Sequence, residues 1–400
     1  MTRSLAIGAA FGAALAMASA ASAQEALPDS VARRVDAVFA AVQRPGSPGC
    51  AVGVYRRGAV AYARGYGAAN LELGVPNGPA TSFYLASTAK QFTAAAVWLL
   101  AQQGRLGIDD PVRKHLPELP DYGAAITLRH LLHHTSGLRD YVDLQQLAGR
   151  APEEASTQAD VVALIVRQRG LNFAPGTAHQ YSNTNYVLLA EVVRKVSGES
   201  LPAFARASLF GPLGMTSTRF VDDPRAVVPG RATAYAARED GTFAHVFSHA
   251  VRLGSAGLWS TVEDLARWDA NFHTGAVGGR ALIDSLAAPG RLSDGRVLGY
   301  ASGLMLGTFR GLPTVSHSGN SGGYRAELLR FPTEGTSVAV LCNVGSPRAP
   351  ELAEQVAAVV LAGRLQPARP AAAPAPQVPP AGIAADTGSS GTRRPPRCAG

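Results

Sequence analysis

The chain has 400 residues, a formal net charge of +8, 46% hydrophobic residues and 16% charged residues. That balance describes a globular protein with a large core and excludes a disordered or fibrous chain. Arginine supplies almost all of the positive charge, because the only lysines are Lys90, Lys114 and Lys195. The arginines are scattered rather than gathered in a basic run or an aromatic-studded stripe, so the sequence predicts no nucleic-acid partner.

The N-terminus has the pattern of a secretory signal peptide. Arg3 precedes an apolar run over residues 5–18, and the small residues at 21–23 follow with an Ala-x-Ala pattern. A positive start, a short apolar stretch and such a site are typical of a cleavable signal, and the run is too short for a membrane span. We predict cleavage after Ala23, a periplasmic or secreted mature chain that starts at Gln24, and no stable membrane insertion afterwards.

The order of helices and strands predicts an α+β fold. The expected helices cover 30–42, 83–101, 128–133, 183–196 and 351–361, and a capping box at 260–263 opens another. The expected strands are a hairpin over 50–66 and three strands over 300–306, 324–331 and 337–343. Strands at both ends with helices between them predict an antiparallel sheet flanked by the N- and C-terminal helices. A mostly helical region is inserted at about 86–295.

The composition divides the chain into three parts. Residues 1–23 are the predicted signal peptide, and residues 24–365 are the predicted folded domain. From residue 366 to 400 the sequence is rich in Pro and Ala and then in Gly, Ser and Arg. Such a segment cannot bury enough surface to offset its ordering entropy, so it predicts a disordered tail.

The three cysteines, Cys50, Cys342 and Cys398, form an odd set that argues against a disulfide framework. An oxidising compartment permits a Cys50–Cys342 bridge, whereas both residues are equally suited to be buried small hydrophobic side chains. The sequence leaves the two alternatives open. No pair of cysteines has the spacing of a zinc site.

The pattern Ser87-x-x-Lys90 is the first candidate for chemistry. Residues three apart share one helix face, so the two side chains should adjoin. A serine hydroxyl is a weak nucleophile until a base takes its proton, and lysine can do this when burial lowers its pKa. The apolar residues that follow Lys90 predict such burial. By itself, however, the pattern also occurs on ordinary exposed helix faces.

A second candidate pair, Tyr181 and Asn183, precedes a predicted helix. A phenol near a lysine can pass a proton to a leaving group, and an amide can hold a substrate carbonyl or the lysine ammonium. The alternative is structural, because Asn183 is also suited to cap the helix and Tyr181 to pack as part of a wall.

A third candidate, His317-Ser318-Gly319-Asn320, lies between predicted strands. Glycine allows the backbone to approach a ligand closely. We expect the backbone N–H groups of Asn320 and Ser87 to form an oxyanion hole, in which each donor contributes about 3 kcal/mol to catalysis. The structural alternative is a hairpin connection with one exposed histidine.

These three patterns, in this order and at these separations, resemble the serine beta-lactamase and penicillin-binding-protein superfamily. The closest resemblance is to its class C-like branch, which also contains D-stereospecific peptidases and carboxylesterases. The segments 83–90, 131–138 and 254–260 have the same appearance. The resemblance covers about residues 30–365 and implies a beta-lactamase/transpeptidase-like fold.

The resemblance also implies a role for each candidate residue and no cofactor. Ser87 would be the nucleophile, Lys90 its base, Tyr181 the proton relay and Asn183 a ligand of the substrate amide. His317 occupies the position where the superfamily usually has the lysine of a Lys-Thr-Gly motif.

That departure at His317 bears on the substrate. Lysine is a permanent cation suited to a substrate carboxylate, whereas histidine is largely neutral near pH 7. The difference favours an esterase or peptidase over a dedicated beta-lactamase. Arg325 is our candidate for a replacement cation.

The spacing of His130, His133 and His134 could place three imidazoles on one helix face, as a metal site requires. No carboxylate or cysteine follows at a spacing that would complete the site. The same segment resembles a family loop that has no metal role, so we expect no metal.

The sequence therefore predicts an exported serine hydrolase that forms an acyl-enzyme on Ser87. Its partner would be a small-molecule or peptide ester or amide, and beta-lactam hydrolysis is left open. The alternative is a non-catalytic module that binds or senses beta-lactams or peptidoglycan. The presence of both nucleophile and base favours the enzyme. The oligomeric state is not predicted.

Overall fold

The computed structural model describes residues 26–151 and 154–367. The predicted signal peptide, Cys398 and residues 368–400 of the predicted tail lie outside the described residues. The helices are α1 Asp29–Val38, α2 Lys90–Gln102, α3 Val112–His115, α4 Leu128–Leu132, α5 Tyr141–Leu147, α6 Gln158–Val166, α7 Asn183–Ser197, α8 Leu201–Ala205, α9 Val262–Thr274, α10 Gly279–Ala287 and α11 Ala349–Val360.

The strands fall into one large sheet and three small ones. They are β1 Cys50–Arg56, β2 Ala59–Tyr66, β3 Ala68–Asn70, β4 Val75–Pro76, β5 Phe83–Tyr84, β6 Arg219–Phe220, β7 Tyr235–Ala237, β8 Phe243–His245, β9 Leu258–Ser260, β10 Met305–Phe309, β11 Leu312–Ser321, β12 Tyr324–Phe331 and β13 Thr336–Cys342. The large sheet is antiparallel throughout, in the order β10-β11-β12-β13-β1-β2. The predicted α+β class, with an antiparallel sheet drawn from both ends of the chain, is confirmed.

Strand β1, which lies between β13 and the edge strand β2, is buried on both faces and separates two hydrophobic clusters. Val52 and Val54 face a cluster that contains α1 and α11, whereas Ala51 and Tyr55 face the cluster of the helical region. This alternation follows from the two-residue period of a strand. The flanking of the sheet by the N- and C-terminal helices is therefore confirmed.

Cys50 and Cys342 lie directly opposite each other in the β1–β13 pair and form a disulfide. Of the two alternatives that the sequence left open, the bridge is the one that the structure contains.

The helical region packs around α2 and α7. Helix α2 is buried on nearly its whole circumference, which explains the almost continuous apolar sequence after Lys90. Helix α7 packs against it and ends at Gly198, which adopts a left-handed conformation with φ of 75°. The predicted helix over 183–196 is confirmed.

A buried ion pair joins this helical region to the sheet. Arg330 of β12 donates to Asp269 of α9 at 2.9 Å and also to the side-chain oxygen of Gln91 at 3.3 Å. Ser337 of β13 donates to the same carboxylate at 2.7 Å. Because Gln91 follows Lys90 in α2, these contacts fix the start of that helix against the sheet.

Three predictions about local structure are wrong. The helix expected over 83–101 starts only at Lys90, because Phe83 and Tyr84 form a strand and a 3-10 turn, Ala86–Ala89, follows. Ala86 has a φ of 46°, which breaks the helical path. The capping box expected at 260–263 is one residue too early, because Thr261 caps α9 by accepting from the Asp264 N–H.

The third error concerns the strand expected over 300–306. The strand occupies Met305–Phe309 instead, and the segment Leu312–Ser321, which includes the Ser-Gly-Asn sequence at 318–320, forms the longest strand of the sheet. His317 therefore lies within β11 rather than between strands. Among the described residues, no helix is both long and apolar enough to span a bilayer.

Candidate active site

Ser87 lies in the 3-10 turn and Lys90 is the first residue of α2, so the two side chains adjoin as predicted. Lys90 Nζ is 3.1 Å from Ser87 Oγ, 2.9 Å from Asn183 Oδ1 and 2.8 Å from the carbonyl oxygen of Ser255. The last two groups can only accept hydrogen bonds from the amine. A neutral amine has two N–H groups for them and one lone pair, which is left for the Ser87 hydroxyl.

The electrostatics of Lys90 match this arrangement. Its side chain is fully buried, and burial lowers the pKa of Lys90 to about 7, against the opposing effect of the Asp140 charge. Near neutral pH a large fraction of Lys90 is therefore uncharged and able to accept a proton.

Asn183 is oriented by Asp140, a residue that the sequence analysis did not identify. The Asp140 carboxylate accepts from the Asn183 backbone N–H at 2.8 Å and from its side-chain amide at 2.9 Å. It also caps α5 by accepting from the Val142 N–H. With its nitrogen held by Asp140, the Asn183 amide directs its oxygen at Lys90.

Tyr181 lies beside the nucleophile and the base. Ser87 lies close enough to the Tyr181 hydroxyl to affect its pKa, and the Tyr181 ring centroid is 4.8 Å from Lys90 Nζ. Burial raises the pKa of Tyr181, so the phenol is protonated at neutral pH. The residue is nevertheless 38% exposed, which leaves it accessible to a substrate.

His317 is the last member of a chain of buried hydrogen bonds that links it through Tyr300 to His134. Its Nδ1 is 2.7 Å from the Ser318 carbonyl oxygen and its Nε2 is 3.2 Å from the Tyr300 hydroxyl. The carbonyl can only accept, so Nδ1 carries the proton and Tyr300 donates to Nε2. Burial lowers the pKa of His317 to about 3, so the imidazole is neutral.

The chain continues beyond Tyr300 to His134. His134 Nδ1 accepts from the Ser182 N–H and from the Asn185 amide, so its Nε2 carries the proton and donates to the Tyr300 hydroxyl at 3.2 Å. Burial lowers the pKa of His134 well below its ordinary value. Both histidines are therefore uncharged, and their hydrogen-bond partners fix the tautomer of each ring.

Gly319 lets β11 approach the nucleophile turn. A Cβ atom at this position would lie 2.0 Å from the carbonyl oxygen of Leu85, so only glycine fits. Thr88 donates to the His317 carbonyl oxygen at 3.1 Å and fastens the turn to the strand. Strand β10 pairs with β11 only as far as Ser316, so residues 317–321 form a free edge beside Ser87.

An open cleft of about 310 Å³ lies over this edge and contains Ser87, Asn183, Asn320 and Arg325 in its lining. Asn320 is exposed. Arg325 lies opposite Asn320 on β12 and donates to the carbonyl oxygens of Gly322 and Tyr324. The structure thus brings the predicted residues to one cleft, or to the strand and buried groups directly beneath it.

Two of the three histidines of the metal alternative have separate hydrogen-bond partners, and His133 Nε2 is buried without one. His130 Nδ1 accepts from the Thr127 N–H in the cap of α4, and His134 belongs to the chain described above. Burial lowers the pKa of His133 to about 4. In the parts of the chain that the structure describes, no three His, Cys, Asp or Glu side chains are grouped as metal ligands.

Sequence reasoning missed Asp140, Ser255, Tyr300 and the role of His134. Ser255 contributes its backbone carbonyl oxygen, which any residue carries, so the resemblance of the segment 254–260 did not reveal that role. Asp140 caps the short helix α5, and an Asp directly before a helix is a sequence pattern that could have identified it.

Comparison with known proteins identifies the family of the chain. The family model described as Beta-lactamase matches residues 31–361. The chain is 30% identical over 319 residues to a D-aminopeptidase of Gluconobacter oxydans (strain 621H), a match that covers 79% of this chain and 60% of that protein. It is 32% identical over 312 residues to a penicillin-binding protein of Bacillus subtilis (strain 168), covering 72% and 66%. The chain thus spans less than two thirds of the length of either relative.

Among solved structures, the fold is similar to that of the octameric penicillin-binding protein homologue from Pyrococcus abyssi. The TM-score is 0.71 at 27% identity, with 84% of this chain and 76% of that chain covered. The family match spans most of the chain and includes every candidate site residue. The chain therefore belongs to the beta-lactamase family, within the beta-lactamase and penicillin-binding-protein superfamily.

Proposed function

We propose that this protein is an exported hydrolase that cleaves an ester or amide through an acyl-enzyme on Ser87. The observation that carries the proposal is the coordination of Lys90. Its two hydrogen-bond acceptors use both N–H groups of a neutral amine, and its lone pair is left for Ser87. Burial keeps a large neutral fraction of Lys90 near pH 7.

In acylation, Lys90 accepts the Ser87 proton while Oγ bonds to the substrate carbonyl carbon. The carbonyl oxygen becomes an oxyanion that the backbone N–H groups of Ser87 and Asn320 stabilise. Tyr181 donates its proton to the leaving group and regains one from Lys90, so both return to their starting states. In deacylation the same pair takes a proton from water, which attacks the ester and releases Ser87.

The substrate that we propose is a small ester or a D-amino-acid amide or peptide. The relatives named D-aminopeptidase support the D-amino-acid class. The neutral state of His317 supports it over a dedicated beta-lactamase, because no permanent cation replaces the lysine at that position. Export rests on the N-terminal pattern at residues 1–23, and protein recovered outside the cytoplasm should start at Gln24.

A serine-reactive fluorophosphonate tests the nucleophile directly. We expect stoichiometric labelling of Ser87, located by peptide mass spectrometry, and loss of labelling in Ser87→Ala. Ser346→Ala, which removes an exposed hydroxyl elsewhere, serves as the matched control and should label normally. Absent labelling, or equal labelling of the protein and Ser87→Ala, would instead favour the non-catalytic binding module.

A further inference from the structure

A second cavity of about 220 Å³ adjoins the Ser87 cleft and is walled by three aromatic rings. Tyr84, Trp259 and Tyr324 contact one another with ring centroids 5.4–5.9 Å apart. The Tyr84 hydroxyl accepts from the Gly257 N–H, and the Tyr324 hydroxyl donates to the Ala232 carbonyl. With both hydroxyls engaged in the fold, the rings offer mainly apolar surface to the cavity.

This cavity, which we call the aromatic pocket, is continuous with the Ser87 cleft. Ser321, Gly322 and Arg252 contribute to the walls of both. Ser321 and Gly322 are the last residue of β11 and the first residue beyond it, so a substrate lying along the free edge of β11 would extend from Ser87 toward the pocket. An apolar cavity of about 150 Å³ is sufficient for benzene. The aromatic pocket therefore has room for one aromatic ring and a short linker that joins the ring to the reacting carbonyl group.

The charges around the joined cavities are positive. Arg231, Arg252 and Arg325 line them, and Arg231 lies 5.8 Å from the Trp259 ring centroid. Of the described residues that line either cavity, none is Asp or Glu. The nearby Asp140 carboxylate already accepts from Asn183 and Val142. A substrate ammonium group would thus meet positive charge without a carboxylate partner.

We propose that the aromatic pocket is a substrate subsite for a single aromatic ring, and that its arginines select neutral or acidic substrates over those with a free ammonium group. The inference rests on the proposed hydrolase function and names the substrate class for that site. Within the esters, amides and peptides proposed above, it predicts a preference for those whose amino group is acylated, and it predicts that this chain differs in that respect from the relatives named D-aminopeptidase.

The test compares kcat/KM for matched methyl esters. N-acetyl-D-phenylalanine and N-acetyl-D-alanine esters differ only by the ring, and the benzyl ester of N-acetyl-D-alanine places the ring on the leaving group. We expect a ring on at least one side to raise kcat/KM by about tenfold or more, as apolar pockets commonly do. For charge, the N-succinyl ester of D-phenylalanine should at least equal the N-acetyl ester and exceed the free amine by about tenfold.

Variants of the pocket test whether its lining residues cause the preference for a substrate with a ring. Phe247→Ala removes a 64% exposed ring at the rim, and Trp259→Leu removes a wall. Both should bring the ring-to-no-ring ratio toward one, whereas Leu147→Ala, at an exposed apolar residue in neither cavity, should keep it. Arg231→Gln should reduce the preference for the acidic substrate. Because each ratio is taken within one variant, partial misfolding cancels.

Two results would overturn the proposal. One is equal kcat/KM with and without a ring on both sides of the ester, and the other is a ring preference that survives both Phe247→Ala and Trp259→Leu. Calorimetric titration of Ser87→Ala with the same esters separates the subsite from the chemistry. Ring-dependent binding without Ser87-dependent turnover would retain the subsite and reject the hydrolase function. Ser87-dependent turnover without ring dependence would retain the hydrolase function and reject the subsite.

Discussion

The carboxylate of Asp140 accepts two hydrogen bonds from Asn183, one from its backbone N–H and one from its side-chain amide. The same carboxylate caps α5. Asp140 acts on Lys90 in two ways. It directs the Asn183 oxygen toward the amine, and its negative charge raises the pKa of Lys90 against the effect of burial. Asp140 is therefore a positioning residue that also sets the protonation of the base.

The variant Asp140→Asn should move the acid limb of the pH profile. Neutral asparagine removes the charge that stabilises the Lys90 ammonium, so the pKa of Lys90 falls below about 7. The rise of kcat/KM with pH reports deprotonation of the free enzyme's base and should shift to lower pH. Asp143→Asn, at an exposed acid on the same helix, is the charge-matched control. An unchanged or higher midpoint for Asp140→Asn would contradict the assignment.

Gly319→Ala should damage catalysis more than stability. The new Cβ would lie 2.0 Å from the Leu85 carbonyl oxygen, a backbone atom, so β11 must move away from the Ser87 turn. A displacement of about 1 Å at a reacting centre costs about a hundredfold in rate. Gly307→Ala on β10 is the control, since its nearest neighbour is a side-chain oxygen of Thr314 at 3.2 Å. Equal kcat/KM in both variants would show that the close approach is not required.

Tyr300→Phe should lower the free energy of unfolding by about 1–3 kcal/mol, the cost of buried polar atoms that lose their partners. The Tyr300 hydroxyl bridges His134 Nε2 and His317 Nε2, and both imidazoles are buried. The control is Tyr122→Phe, because the Tyr122 hydroxyl is buried without a hydrogen-bond partner. Urea unfolding at pH 7 measures both, and equal stability of the two variants would rule out the bridge.

Glu327→Gln should raise stability at alkaline pH. Burial raises the pKa of Glu327 on β12 to about 8, above its ordinary value of 4.5. Between these pH values the folded state holds a proton that the unfolded state has lost, so stability falls as pH rises, by at most about 1.4 kcal/mol per unit. Glutamine removes this dependence.

Urea unfolding at pH 5 and pH 8 checks the Glu327 prediction. The gain in stability from Glu327→Gln should be larger at pH 8. The exposed Glu199→Gln variant should change little at either pH. A gain that is the same at both pH values would mean that Glu327 is ionised in the fold.

The sequence predicted the parts of the fold and site that local patterns encode. The apolar runs of β1 and β13 identify buried strands, and residues three apart on a helical turn adjoin, which is why Ser87 and Lys90 were found together. Helix α7 was predicted almost to the residue because Gly198 marks its end.

What local patterns could not predict depends on contacts between distant segments. Strand β11 has Ser, Gly and Asn at 318–320, where Gly319 approaches the Leu85 carbonyl, so this part of its sequence is typical of a turn rather than of a strand. Tyr300 and Asp140 join the site from segments 160 residues apart, and no periodicity connects them.

The pairing of β1 with β13 has a consequence for how the molecule is assembled. A nascent chain makes β1 first, yet its neighbour on one side lies 292 residues later, as the separation of Cys50 and Cys342 records. Closing so long a loop before any contact compensates for it is slow. The large sheet can be completed only after β13 has been synthesised, so β1 stays without its partner on that side until the whole helical region has been made.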